Sequence, residues 1–367
     1  MSEIRVLHVI ARMNVGGTAT YIANLIRGLQ SLGTKNLLAF GRVPAGEEED
    51  QVVSTLPIVR VKEMSRELNP FRDLRSVRNL KQVIKDFKPD LIHTHTFKAG
   101  LLVRSQRLQV PVVHSFHGHH LYDPEFGFVK RAVINLVERG LAKRSAAIVT
   151  VGSQVRDELI EAGIGEFSQF HPIPPGIDEP KMNLVQDKRT QFGILPSETV
   201  VMWLGRFTQV KRPDLVLEIA RALPETVFIM AGGGELLEEC REKAPINVKL
   251  VGFQNKDEMW KMADIGLCTS DSEGMPLALI EAQMAGVPVV STDVGSVSEI
   301  VVDRKTGKLA SDLSGLITGI KWIKESIEKS EDLASESKKH ALANFTINEV
   351  ASAHLELYKE VLDRVGL

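Results

Sequence analysis

The chain predicts an α/β protein built from two tandem Rossmann-like, doubly wound domains, and three observations carry that prediction. Its 367 residues exceed one ordinary domain and suit two. Short apolar runs of strand length alternate with segments of helical periodicity, the pattern of a parallel sheet covered on both faces. That pattern runs twice, on either side of a break at Pro172, Pro174, Pro175 and Gly176, which no single regular element accommodates.

Taken in order, residues 4–11 read as a strand. From 21 to 32, Ile22, Leu25, Ile26 and Leu29 share one helical face, and Gly33 stops the helix. Residues 71–87 repeat the helical spacing through Phe71, Leu74, Val77, Val83, Ile84 and Phe87. A strand at 91–94, a helix at 98–106, a strand at 110–115, a long helix at 129–143, a strand at 147–151 and a helix at 154–162 follow. Beyond the break, 179–198 is polar and lacks a period, as a linker does. The second half places strands at 200–204, 227–231, 248–251, 265–269 and 287–291 between helices at 214–223, 235–244, 256–262 and 277–285. A last helix, 348–362, carries Val350, Leu355, Tyr358, Val361 and Leu362 as its apolar stripe. The predicted domains are 1–177 and 178–345, with 346–367 as a C-terminal helical segment. Tandem domains of this kind hold ligand beyond the carboxyl ends of their strands, in the crevice between them.

Hydrophobic content of 43% and charged content of 25% are those of a globular protein, and a net charge of −2 gives no bias toward nucleic acid. The charge is uneven: residues 1–177 carry a net +6 and the remainder −8, so the halves face different partners. Cys240 and Cys268 form neither a metal-spaced cluster nor a disulfide framework, which fits a reducing compartment. Residues 4–10, with His8 among them, read as a strand rather than a signal segment, and no apolar run spans a bilayer. A cytoplasmic protein is expected, with a peripheral position at the inner face of the membrane left open.

Four motifs carry chemistry. Asn14-Val15-Gly16-Gly17-Thr18 joins the first strand to the first helix; its glycines let backbone approach a ligand, and the helix N-terminus favours an anion. It lacks the third glycine of the dinucleotide fingerprint, and any tight turn uses glycine. Gly205-Arg206, followed by Lys211, ends the second domain's first strand. A guanidinium and an ammonium there can neutralise a pyrophosphate, although exposed cations near strand ends are commonly just solvated. Ser272-Glu273-Gly274-Met275-Pro276 leads into Glu281. The turn's amides precede a helix and can hold anionic or hydroxyl groups, and Glu281, one turn in, can accept from a diol such as ribose. A glutamate in a first helical turn also simply complements the dipole. Finally, six of ten histidines are His93, His95, His114, His117, His119 and His120. No carboxylate or cysteine accompanies them at ligand spacing, so no metal is expected. His117 follows the 110–115 strand, where active sites of α/β folds collect; the others read as packing or as polarity on the acceptor side. There is no Asp-x-Asp and no hydrolase nucleophile motif.

Together these residues resemble family 4 glycosyltransferases, retaining enzymes of the two-domain GT-B fold. The resemblance spans nearly the whole chain. It rests on Gly16-Gly17, His117 within His-Ser-Phe-His, Gly205-Arg206 with Lys211, Glu273 to Glu281, the run 285–290 with Gly295, and Leu357-Tyr358 in the last helix. It implies an acceptor-side first domain, a donor-binding second domain, and a final helix that crosses back onto the first. It implies that Arg206 and Lys211 grip the diphosphate and that Glu281 binds the ribose hydroxyls. Glu273, with the amides of Gly274 and Met275, would hold the donor sugar. Gly16 and Gly17 would approach phosphates and acceptor, and His117 would sit beside the transferring sugar. The catalytic set so implied is His117, Glu273, Arg206 and Lys211. Pro175 stands before Gly176 where asparagine is usual, and Met275 where phenylalanine is common.

The expected activity is retaining transfer of a hexosyl or N-acetylhexosaminyl group, without metal or cofactor. The donor is a nucleotide-sugar, UDP-linked by family frequency, and the acceptor a sugar or lipid-linked glycan of polysaccharide biosynthesis. The segment 60–88 carries a net +5 and could rest on anionic lipid, or be a solvated face over the core. Three rivals remain: a nicotinamide-dependent oxidoreductase, a nucleotide-sugar 2-epimerase of the same fold, and a non-catalytic nucleotide-sugar-binding protein.

Overall fold

The computed structural model describes residues 3–118, 127–329 and 332–366. His119 and His120 lie outside them.

In chain order the first stretch runs β1 (Arg5–Ile10), α1 (Gly17–Ser31), β2 (Lys35–Phe40), β3 (Ile58–Arg60), α2 (Pro70–Phe87), β4 (Leu91–His95), α3 (Thr96–Arg104), β5 (Val112–Phe116), α4 (Phe128–Ala142), β6 (Ala147–Thr150), α5 (Ser153–Glu161) and β7 (Phe170–Pro172). Then come β8 (Thr199–Leu204), α6 (Pro213–Ala222), β9 (Thr226–Ala231), α7 (Leu237–Lys243), β10 (Val248–Gly252), α8 (Lys256–Met262), β11 (Ile265–Cys268), α9 (Leu277–Met284), β12 (Val289–Thr292), α10 (Val297–Ile300), β13 (Gly307–Ala310), α11 (Leu313–Glu328), α12 (Leu333–Asn344) and α13 (Ile347–Arg364). One compact unit is 1–176 with 347–367; the other is 177–346.

The first unit holds a parallel sheet ordered β3-β2-β1-β4-β5-β6-β7. The order reverses between β1 and β4, the switch point at which doubly wound sheets hold ligands. Side chains alternate between the sheet's faces. Leu7, Val9, Ile92 and Val112 pack with Leu80 of α2 and Leu102 and Val103 of α3. Val6, Ile10, Val113 and Val149 face the other way, toward α1 and α13. The last helix therefore belongs to this unit, and Leu357, Tyr358 and Val361 are buried in its core. It lies so close to α1 that a Cβ on Gly28 would stand 2.6 Å from the Ala351 methyl. Only glycine permits that approach.

The second unit's sheet is ordered β10-β9-β8-β11-β12-β13, all parallel, with its switch point between β8 and β11. One face is covered by α6, α7 and α11 through Val216, Leu217, Cys240, Leu316 and Ile320.

Several expectations need correction. Phe71 and Leu74 do not join the face of α2 that packs on the sheet; they are 82% and 54% exposed, whereas Val77, Val83, Ile84 and Phe87 pack on the core. Glu235 and Leu236 precede α7 rather than begin it. The structure adds β2, β3, β7 and β13, and the helices α10, α11 and α12, to the elements the sequence pattern predicts.

Candidate functional site

Each predicted residue sits in a loop at the carboxyl end of a strand or in the helix that follows it. In the second unit, β8 runs into Gly205-Arg206 and then a 3₁₀ turn, Gln209–Lys211. β11 runs into 269–276 and α9. These two connections flank the switch point. Trp203 Nε1 donates to Thr269 Oγ1 (3.1 Å), which donates on to the carbonyls of Lys211 (2.9 Å) and Arg212 (3.0 Å). The Asp271 amide bonds the Val210 carbonyl (2.9 Å).

That latch brings Lys211 onto Glu273. The Lys211 ammonium donates to Glu273 Oε1, which also accepts from Ser270 Oγ (2.6 Å). Burial alone would pull the Lys211 pKa down; the Glu273 carboxylate more than offsets this and holds it above the ordinary lysine range. Arg206 is exposed, and its positive charge acts on Lys211 in the opposite sense. Gly295, at φ +54°, presses on the same turn. A Cβ there would stand 1.8 Å from the Glu273 carbonyl oxygen, and the next amide, of Ser296, donates to the Gly274 carbonyl (2.9 Å). The amides of Gly274 and Met275 make no hydrogen bond among the described residues, and α9 has no side-chain N-cap. They add free donors to the orphan amides of a helix start.

Glu281 is only 9% exposed. Its Oε1 accepts from Lys256 Nζ (2.7 Å), at the start of α8. Its Oε2 is buried with no partner. An unsatisfied buried carboxylate oxygen costs free energy until a donor reaches it. Lys256 has no sequence signal, lying 25 residues before the carboxylate it bonds, whereas Ser270 stands three residues before Glu273 within the same loop. Gly232 is also absent from the predicted set; its hypothetical Cβ would meet the Gly205 carbonyl oxygen at 1.9 Å. The glycine triplet after β9 was a legible signal for it. A groove lined by Arg212, Asp214, Glu235, Glu239 and Asp271 among others contains none of the predicted residues.

In the first unit, Gly16 at φ +153° caps α1 and is exposed with Gly17. The 47–50 segment runs beside this loop: the Val15 amide bonds the Glu48 carbonyl (3.0 Å) and Arg12 pairs with Glu47.

The histidines form a polar island under α1 and α13. Parallel register sets His8 beside His93, and His95 follows two residues on, so all three point to one face of the sheet. His114, on the opposite face, bonds Thr94 Oγ1 (2.8 Å) instead. A line of contacts runs from Asn36 to His8 (3.1 Å), His8 to His95 (3.2 Å) and His95 to His117 (3.1 Å). His93 joins Tyr358 and Ser115, each at 2.6 Å, and Tyr21 joins His354 (3.1 Å). His117 is half-buried, with its ring stacked on His95 and the edge of Tyr21 against it. Burial pushes His8 and His354 down to about 4 and His117 down to about 3, so all are neutral at pH 7. One nitrogen from each of His8, His93 and His95 lies within 4.8 Å of the others, a grouping that linear spacing did not reveal.

Comparisons with known proteins agree in type. The sequence family described as Glycosyltransferase Family 4 matches residues 15–180, and that described as Glycosyl transferases group 1 matches 185–340. The chain is 26% identical to the UDP-Gal:alpha-D-GlcNAc-diphosphoundecaprenol alpha-1,3-galactosyltransferase of Escherichia coli over 307 residues, 77% of this chain and 78% of that one. Among solved structures, sucrose-phosphate synthase from Thermosynechococcus elongatus superposes with a TM-score of 0.83 at 18% identity, covering 99% of this chain and 100% of that one. Anabaena HepE in complex with UDP and glucose superposes at 0.82, also at 18% identity, covering 98% and 100%.

Proposed function

We propose, for a chain that belongs to the family 4 glycosyltransferases and has their GT-B fold, that it is a retaining, metal-independent enzyme moving a hexosyl or N-acetylhexosaminyl group from a UDP-sugar to a lipid-linked glycan or polysaccharide precursor. The observation that carries the donor half of this reading is the buried, unpartnered Oε2 of Glu281, on the helix that follows the loop of the Lys211–Glu273 pair.

Breaking the bond between the sugar C1 and the diphosphate leaves positive charge on the sugar and negative charge on the leaving group. Arg206 and Lys211 neutralise the diphosphate together with the amides that open α9, which supplies in fixed charge what a divalent ion would otherwise supply. Glu281 Oε2 accepts from a ribose hydroxyl. Glu273 and the Gly274 and Met275 amides hold the sugar. In the first unit, Gly16 and Gly17 offer backbone donors, and His117 orients a sugar hydroxyl. The acceptor oxygen bonds C1 from the face the diphosphate leaves, and its proton passes to the departing phosphate. UDP is supported by HepE and by the E. coli relative, whose names carry that nucleotide.

The lipid-linked acceptor is supported by the surface of α2. It exposes Phe71, Leu74, Arg75, Arg78, Lys81 and Lys85 along one helical stripe. Such a stripe suits anionic lipid at the membrane surface. No helix among the described residues is long and apolar enough to cross a membrane.

The test is a thermal-shift screen of UDP-, GDP- and ADP-sugars in excess EDTA. A UDP-sugar should raise the melting temperature without added metal, by an amount set by its concentration over Kd. A shift seen only with Mg²⁺ or Mn²⁺, or only with GDP- or ADP-sugars, would overturn the corresponding part of the reading.

A further inference from the structure

We infer that Asn36, His8 and His95 form a one-way hydrogen-bond relay that fixes His117 as its Nε2–H tautomer and leaves its Nδ1 as an acceptor lone pair at the end of the relay.

The direction follows from which groups can donate. Asn36 Nδ2 donates to the Thr34 carbonyl (3.3 Å) and to Thr34 Oγ1 (2.8 Å), which turns its amide oxygen toward His8. An amide oxygen only accepts, so His8 Nε2 carries hydrogen. A neutral imidazole carries one, so His8 Nδ1 is the acceptor and His95 Nε2 must donate to it. The same step repeats: His95 Nδ1 accepts, and His117 Nε2 donates. His117 Nδ1 is left as a bare lone pair with no partner among the described residues.

A second line lies beside the first. His354 Nδ1 donates to the Val350 carbonyl (2.8 Å), so its Nε2 accepts from the Tyr21 hydroxyl. His93 lies alongside, bonded through Nε2 to Ser115 Oγ and through Nδ1 to the Tyr358 hydroxyl. Every ring nitrogen of His8, His93 and His95 is thereby committed to a hydrogen bond. A metal ion at that trio would have to break a hydrogen bond at each of the three rings.

The consequence is chemical. A neutral histidine in this tautomer presents an acceptor, not a donor, and so selects a hydroxyl as its ligand. That use rests on the transferase reading above; the tautomer does not. Asn36, His8 and His95 are positioning residues, acting through His117.

The experiment is two-bond ¹⁵N–¹H NMR of the full chain labelled in its histidine side chains, at pH 7, with the His117 signals identified by their loss in His117→Gln. His117 should show a pyrrole-like Nε2 and a pyridine-like Nδ1. In Asn36→Leu, where the terminal acceptor is gone, the two shifts should move toward each other as the tautomers mix. A pyridine-like Nε2 in the wild type, or an unchanged pattern in Asn36→Leu, would overturn the relay. So would a stoichiometric transition metal in the purified protein that is lost in His93→Ala. If Asn36→Leu does not fold, the wild-type pattern decides alone. Correct tautomers without any sugar transfer would instead sink the transferase reading and leave the relay standing.

Discussion

At the residue scale, the buried histidines tie this protein's stability to pH. His8 and His354 are held at about 4, against about 6.5 in an unfolded chain. The folded chain keeps them neutral where the unfolded chain takes up protons. Their contribution is whole above pH 6.5 and is lost as the pH falls from 6.5 toward 4. Between pH 7 and pH 5 each should cost about 2 kcal/mol of stability. Urea midpoints at the two pH values measure this. Tyr21 and Tyr358 report on the histidine-bearing unit, and Trp203, Trp260 and Trp322 on the other. The tyrosine transition should fall steeply with acid and the tryptophan transition much less; equal falls, or none, would contradict the burial assigned to the cluster.

At the element scale, strand ends were legible and side-chain pairings were not. Glycines and charged residues directly after an apolar run mark the carboxyl edge of a parallel sheet, so the loops of Gly16, Arg206 and Glu273 could be placed from their order alone. β2 went unseen because Lys35 and Asn36 open it with polar side chains, and Asn36 is buried there to anchor the relay. β3 has three residues, β7 contains Pro172 at the sheet edge, and β13 opens on glycine and lysine; each departs from the apolar strand pattern. The periodicity of α2 is helical throughout, but its first turn faces solvent. That misplaced stripe is what makes α2 a membrane candidate. Each basic residue near an anionic surface contributes about 1 kcal/mol. Replacing Arg75, Arg78 and Lys81 by glutamine should therefore weaken co-sedimentation with phosphatidylglycerol vesicles at low salt by about a hundredfold or more. Wild-type protein that stays in the supernatant would remove the membrane role.

At the scale of the whole molecule, both sheets reverse strand order, between β1 and β4 in one unit and between β8 and β11 in the other; Gly16, Arg206 and Glu273 follow strands that border those points, and His117 follows β5. Alternating strands and helices made that architecture readable. The relation of His8 to His93, of Lys256 to Glu281 and of Tyr358 to His93 was not readable, because register and the return of α13 join residues far apart in the chain. On the proposed reading, the second unit binds a nucleotide through fixed charges and the unpartnered carboxylate oxygen of Glu281. Isothermal titration of UDP into wild-type and Glu281→Ala protein, both in EDTA, tests it most directly. Wild-type protein should bind without metal, and the variant should bind at least about tenfold more weakly, a loss of roughly 1.4 kcal/mol. Equal affinities in the two proteins, or wild-type binding that appears only when Mg²⁺ is added, would contradict it.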